Sequence, residues 1–146
     1  LAPLPVAARG AGVVILAAML AGRAERPRHG EAWVTVLDVG QGLAVAIETR
    51  TRNALYDAGP SYRGGGSAGE RVVVPYLRHR GWPRVHRLVV SHGDSDHAGG
   101  VAAIREAVPV DSTVSGVPGA EWPCRAGDAW RWDGVRFEFL HPDGAS

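Results

Sequence analysis

The sequence predicts an α/β domain, and three observations carry that expectation. Short β-rich runs (Trp33 to Val39, Leu43 to Ile47, Ala54 to Tyr56, Leu88 to Val90) alternate with stretches at helical spacing (Glu70 to Arg80, Gly99 to Ala107), the pattern of strands and helices sharing one core. Near the carboxyl end, Asp133-Gly134 separates two aromatic-rich runs, a strong hairpin signal. Between these, Leu88 to Gly100 reads LVVSHGDSDHAGG: a short buried-type strand stops abruptly, and a dense cluster of polar side chains precedes a helix. A chain of 146 residues has room for one ordinary domain of about 100–150 residues.

The amino end differs in kind. Leu1 to Gly22 holds a single charge, Arg9, and Gly10 to Gly22 is an unbroken run of apolar and small residues. That run is shorter than the roughly 20 residues a bilayer span needs. It therefore reads as the visible end of a longer membrane helix, a signal-peptide core, or a span in which Arg9 snorkels. The chain does not begin with Met, which favours the end of a membrane helix over residues 1–22, with 23–31 as linker. Arg23, Arg26, Arg28 and His29 follow directly and by the positive-inside rule bias that flank toward the cytoplasm.

From Ala32 the domain begins. Trp33 to Val39, Leu43 to Ile47 and Ala54 to Tyr56 read as a meander, turning first at Gly40-Gln41-Gly42 and then through the polar Thr49 to Asn53. Asp38 is expected to bond its own turn backbone. Asp57 ends the third strand before Ala58-Gly59-Pro60, where a carboxylate either closes a turn or supports a site beyond it. Ser61 to Gly69 (SYRGGGSAG) is glycine-rich, but no Gly-Lys-Ser or Gly-Lys-Thr follows, so it is not a phosphate loop. It reads as a surface loop, or a flap whose Arg63 reaches a substrate phosphate.

Glu70 to Arg80 is expected as one helix, with Val73, Val74 and Leu77 inward, Pro75 near its first turn and Gly81 ending it. Gly99 to Ala107 is a second, stopped by Pro109; Ser112 to Val114 is a short strand and Gly116 to Gly127 an irregular connection. Ala129 to Trp132 and Val135 to Leu140 form the hairpin. Trp122, Trp130 and Trp132 read as packing or edge residues rather than base-stacking platforms. His79 and His86 read as solvated or capping, and His141 fits no ligand spacing.

Within six residues stand His92, Asp94, Asp96 and His97. Neutral imidazole nitrogen and ionised carboxylate oxygen are the donors that hold divalent metals at neutral pH. Capping of the following helix would account for one carboxylate, not for two flanked by two histidines, whose like charges need a cation beside them. Adjacent Asp96 and His97 cannot easily aim where His92 and Asp94 aim, so two neighbouring metals are expected, one for each pair. Such a pair is the recurrent device for displacement at phosphorus or an acyl carbon, and the implied reaction is hydrolysis, with Asp96 the expected catalytic residue.

Composition bounds the rest. Formal charge is +1, which argues against a surface that is a general sink for nucleic acid, and all positive charge comes from arginine. Cys124 is the only cysteine, so no intramolecular disulfide forms.

The stretch SHGDSDHAGG resembles the His-x-His-x-Asp-His motif of the metallo-β-lactamase fold superfamily, with Asp94 where the second histidine usually stands. VTVLDVGQG (Val34 to Gly42), NALYDAGP (Asn53 to Pro60) and GERVVVPYLRHRG (Gly69 to Gly81) are similar to one branch, the soluble domain of ComEC-type competence DNA-uptake channels, where the Asp-containing loop is the normal form. Leu43 departs from the Asp or Glu often found there. The resemblance implies an αββα sandwich, of which residues 32–146 would be the first half, since the further aspartate and late histidine of the second half have no counterpart. It implies two divalent ions, Mn²⁺ or Zn²⁺ with Mg²⁺ possible, and Asp57 as an outer-sphere partner orienting the metal loop. It implies a nuclease acting on the non-transported DNA strand, in a bacterial inner-membrane protein with an extracytoplasmic soluble domain, single-stranded DNA as partner and other competence-machinery proteins beside it. A membrane-tethered hydrolase of small esters or lactams and a non-catalytic transporter module are the alternatives. The 146-residue piece is expected to bind metal weakly and to have little activity.

Overall fold

The computed structural model describes residues 25–117, 120 and 122–142. The membrane segment expected over residues 1–22 lies outside them. Among the described residues no helix is long and apolar enough to cross a membrane. Residues 25–31, expected as linker, are held at several points: the Gly30 amide donates to the Asp133 carbonyl at 2.7 Å, and Arg80 donates to the Glu25 carbonyl at 2.8 Å.

Five strands form a mixed sheet in chain order: β1 (Trp33–Val36), β2 (Val45–Glu48), β3 (Asn53–Tyr56), β4 (Arg87–Val90) and β5 (Thr113–Ser115). The first three are the antiparallel meander, with Trp33 opposite Glu48 and Val45 opposite Tyr56. β3, β4 and β5 run parallel, so each of those connections must cross over. The first crossover carries a π-helical turn (Gly69–Val73) leading into α1 (Val74–His79); the second carries α2 (Ser95–Ala98) and α3 (Val101–Ala107). A separate hairpin pairs β6 (Ala129–Trp132) with β7 (Val135–Glu138). Its corner residues Asp133 and Gly134 both have positive φ, 49° and 88°, the backbone that makes Asp-Gly a hairpin turn.

Alternation along the strands sorts side chains into two layers. Ala46, Leu55, Leu88 and Val90 pack against Val73, Leu77 and Ile104 of the helical layer, each fully buried aliphatic contributing about 1.5–3 kcal/mol. On the other face, Ile47, Ala54, Tyr56 and Val89 meet Trp130, Phe137 and Phe139 of the hairpin around a cavity of about 170 Å³. Asp133 ties the hairpin corner down, accepting from the Thr49 hydroxyl at 2.6 Å and the Thr51 amide at 2.7 Å. Glu48, buried at the helical face, accepts from Arg80 Nη2 at 2.6 Å and from the Trp82 indole. That bond raises the Arg80 pKa above its ordinary value.

Two expectations are corrected. The single helix over Glu70 to Arg80 is two pieces, because the π turn widens the backbone just before Pro75 and puts that proline in the first turn of α1, where its missing N–H costs nothing. His86 is neither solvated nor capping: its backbone amide donates to Asn53 Oδ1 at 3.0 Å and its Nδ1 accepts from the Asn53 amide at 3.2 Å, and burial pushes its pKa down. Trp130 and Trp132 pack, in an aromatic cluster with Phe137, and Trp122 lies along the β5 edge, 64% exposed. Asp38 bonds its turn as expected, accepting from the Gly40 amide.

Candidate metal centre

β3 and β4 run side by side and end together, and the site is built on their carboxyl ends. Asp57 follows β3 with φ +59°, a left-handed backbone that Asp adopts more readily than most residues. It is completely buried. Its carboxylate accepts from the Ser91 amide at 2.7 Å, the Ser91 hydroxyl at 2.7 Å and Nδ1 of His97 at 2.7 Å. The imidazole therefore carries its proton on Nδ1 and turns Nε2, with its lone pair, outward.

Outward lies Asp96, with Oδ2 3.5 Å from Nε2 of His97. The second pair sits alongside: Asp94 Oδ2 is 3.5 Å from His92 Nδ1, and the His92 and His97 rings are 4.0 Å apart, centre to centre. His92 Nδ1 accepts from the Asp94 amide at 3.3 Å. The two histidines thus differ: His97, donating from Nδ1, keeps its lone pair on Nε2, whereas His92, accepting at Nδ1, keeps its lone pair on that nitrogen, the one nearest Asp94, and its proton on Nε2. The two imidazole–carboxylate pairs of the sequence are brought together side by side. Among the described residues, however, no three His, Cys, Asp or Glu side chains are grouped so as to hold an ion. The donor chemistry suits divalent cations.

The polypeptide here is not the simple loop expected. Ser95 to Ala98 form a helical turn, so Asp96 and His97 project from a helix and Asp94 occupies its N-cap position. Yet the Asp94 side chain makes no capping bond and is 81% exposed. A carboxylate standing at a cap position without capping is left available for another partner.

A helix this short cannot satisfy its own carbonyls, and the neighbouring loops do it instead. The Ser95, Asp96 and His97 carbonyls accept from the amides of Ser61, Leu43 and Ala58 at 3.3, 3.1 and 2.8 Å. Two of the sequence motifs thereby acquire a physical role, for Gly40-Gln41-Gly42 and Ala58-Gly59-Pro60 deliver those amides. Such closeness needs glycine. A Cβ on Gly42 would collide with the Asp96 carbonyl oxygen, and one on Gly100 would collide with the Ala58 oxygen and sit 2.6 Å from the Gly69 nitrogen. The Ser61 and Ser95 hydroxyls, 2.7 Å apart, add a side-chain link.

Sequence reasoning missed Ser91, whose amide and hydroxyl both hold Asp57. Its only signal is its place between the strand and His92. The glycine-rich loop is closed rather than open: Ser61 and Ser67 form a bridge, and Arg71 donates to the Gly65 carbonyl at 2.9 Å. Arg63 is exposed on it.

Comparison with known proteins places this geometry. Over 144 residues the chain is 39% identical to Competence protein ComA of Neisseria gonorrhoeae, covering 97% of this chain and 20% of that protein. It is 40% identical over 114 residues to Recombination protein 2 of Haemophilus influenzae, covering 75% of this chain and 14% of that one. The uncharacterized protein YcaI of Escherichia coli is 34% identical over 124 residues, 16% of its length. The chain thus spans a fifth or less of these curated relatives. The metallo-beta-lactamase superfamily profile matches residues 37–143, from the strand leading into Gly40 to beyond the hairpin, and with that match the chain belongs to the metallo-beta-lactamase superfamily.

Proposed function

We propose that this domain is a dinuclear metal-dependent phosphodiesterase that cleaves single-stranded DNA, as part of a bacterial inner-membrane protein of competence DNA uptake. The observation that carries the reading is the pairing of His92 with Asp94 and His97 with Asp96, with the two rings 4.0 Å apart. The names of two relatives, Competence protein ComA and Recombination protein 2, support the setting. In that setting the partners are a DNA strand, the membrane through residues 1–22, and other proteins of the uptake machinery, with the domain extracytoplasmic.

When bound, two divalent cations supply Lewis acidity and a water of lowered pKa at neutral pH. His92 and Asp94 would hold one ion, Asp96 and His97 the other. Asp57 keeps the His97 proton on Nδ1, and Ser91 keeps Asp57 in place. The Asp94 carboxylate, standing in for a histidine, hardens the donor set and tilts preference from Zn²⁺ toward Mn²⁺ or Mg²⁺.

The test is cleavage of a single-stranded oligonucleotide by the full-length domain with Mn²⁺ and with chelator. Metal-dependent cleavage that Asp96→Ala abolishes supports the reading, and equal cleavage by Asp96→Ala removes it. Hydrolysis of a small ester or lactam, with DNA left intact, would move the substrate to that class.

A further inference from the structure

We infer that Trp122 is a stacking platform for a base of single-stranded nucleic acid, set between two hollows that lead away from the metal centre. The proposal deepens the phosphodiesterase reading by naming where the strand lies outside the reacting bond.

The first hollow, about 690 Å³, is walled by Val90, Ala98, Arg105, Thr113 and Trp122. Val90 is two residues before His92 and Ala98 directly follows His97, so this hollow adjoins the ligand cluster on both sides of the chain. Its volume falls within the roughly 300–1,000 Å³ of small-ligand sites. Beyond Trp122 lies a second hollow of about 330 Å³, lined by Arg87, Arg125, Asp128, Trp130 and Phe139 among others. Trp122 is common to both.

Its backbone is pinned. The Trp122 carbonyl accepts from the Ser115 amide at 2.9 Å, and the Cys124 amide donates to the Ser115 carbonyl at 2.9 Å, extending the β5 edge. The ring is nevertheless 64% exposed, whereas the other hairpin-side tryptophans are packed among aromatic rings. A large indole fixed at its backbone and left uncovered offers a π face, which every base can use without regard to sequence.

Charge complementarity selects the occupant. Among the described residues, Arg87, Arg105 and Arg125 have no carboxylate within ion-pair distance, while Arg80, Arg84 and Arg136 do. Arg105 donates to the Thr113 hydroxyl at 2.9 Å, and Arg87 lies 4.3 Å over the Trp130 ring. Guanidinium groups on either side of an exposed indole suit a phosphodiester backbone carrying unstacked bases. Asp128 is the acidic exception in the second hollow.

The experiment measures binding apart from cleavage. Fluorescence anisotropy of a labelled oligothymidylate is followed on the full chain in chelator, with Trp122→Ala, Trp122→Phe and Arg105→Ala/Arg125→Ala variants checked for fold by circular dichroism. Trp122→Ala should weaken binding at least about fivefold, the lower end of what losing one base–aromatic stack costs. Trp122→Phe should retain most of the affinity, and the double arginine variant should lower the salt dependence. Unchanged affinity in Trp122→Ala overturns the proposal, as does an equal loss in Trp122→Phe. Self-association that Trp122→Ala abolishes, with no oligothymidylate bound, would give the surface to a second copy and also overturn it. Manganese-dependent hydrolysis of bis(4-nitrophenyl) phosphate by the unsubstituted full-length domain tests the phosphodiesterase reading separately. Its absence alongside Trp122-dependent binding would remove that reading and leave the platform standing.

Discussion

Replacing Asp57 by Asn is the most informative single change, because it alters charge and proton placement while keeping shape. Asn tolerates the left-handed backbone at φ +59°, so backbone strain does not confuse the result. The amide oxygen can still accept from the Ser91 amide. The NH₂ group then faces the Ser91 hydroxyl and His97 Nδ1, both within 2.7 Å of the present carboxylate. Two donors cannot share one proton position, so His97 must accept at Nδ1 and move its proton to Nε2, the atom that would hold metal in the proposed reading. Three charge-assisted bonds of about 1.5–3 kcal/mol each become neutral ones of about 1 kcal/mol, a loss of about 1.5–6 kcal/mol in all. At about 3–4 °C per kcal/mol for a chain of this size, thermal unfolding should come roughly 5–24 °C earlier. Loss of such a supporting carboxylate should also weaken Mn²⁺ binding about 10–100-fold. Nitrogen chemical shifts of His97 report the tautomer, calorimetry the metal and thermal denaturation the fold. An Asp57→Asn variant with His97 still protonated at Nδ1 and with unchanged Mn²⁺ affinity would refute this account of the site.

Gly100→Ala should destabilise by about 1–3 kcal/mol or more, because its Cβ meets backbone atoms of Ala58 and Gly69 that no rotamer can move; denaturant midpoints measure it, and a neutral effect would mean that the crossover and the π turn slide apart freely. Asp133→Asn should flatten the acid limb of stability. Burial pushes the Asp133 carboxyl up, but the bonds from Thr49 and Thr51 outweigh it and hold the group below its ordinary value. Its contribution is therefore present above the unfolded pKa of about 3.9 and lost as pH falls through the lower folded one. The gap in stability between the original chain and the variant should be open at pH 7 and close in acid, as unfolding followed across pH would record.

The strands were legible because they are short, mostly apolar runs, several of them close to Gly, Pro or Asp, and the hairpin because Asp-Gly has few other uses. The four candidate ligands were legible from chemistry alone, since two carboxylates and two imidazoles in six residues have no good structural excuse. What composition could not express is backbone detail. Nothing in GDSDHAGG distinguishes a loop from one helical turn, because the turn is buttressed by amides from Leu43, Ala58 and Ser61, which are remote from it in the chain. Nor does Glu70 to Arg80 announce a π turn: its apolar spacing is helical throughout, and Pro75 alone hints that one hydrogen bond is missing. Trp122 reads like Trp130 in sequence, as an aromatic in a strand-rich region. Its exposure depends on the β5 edge having no strand beyond it among the described residues.

Those borrowed amides bear on how metal and fold are coupled. In small metal-nucleated domains the ligands are scattered and chelation unfolds the chain. Here α2 is clamped from both flanks by backbone contacts that no metal makes: three carbonyls taken by neighbouring amides, two glycines pressed against backbone, and Asp57 beneath. Under the proposed reading, only the side chains of His92, Asp94, Asp96 and His97 would answer to an ion. Chelation should therefore abolish metal-dependent activity while leaving far-ultraviolet dichroism unchanged, and should lower the melting temperature by no more than mass action demands, about 2.7 kcal/mol at a hundredfold excess of metal over its Kd. Unfolding of the domain on chelation at 25 °C would mean that the ligand turn is built by the ion and not by the loops around it.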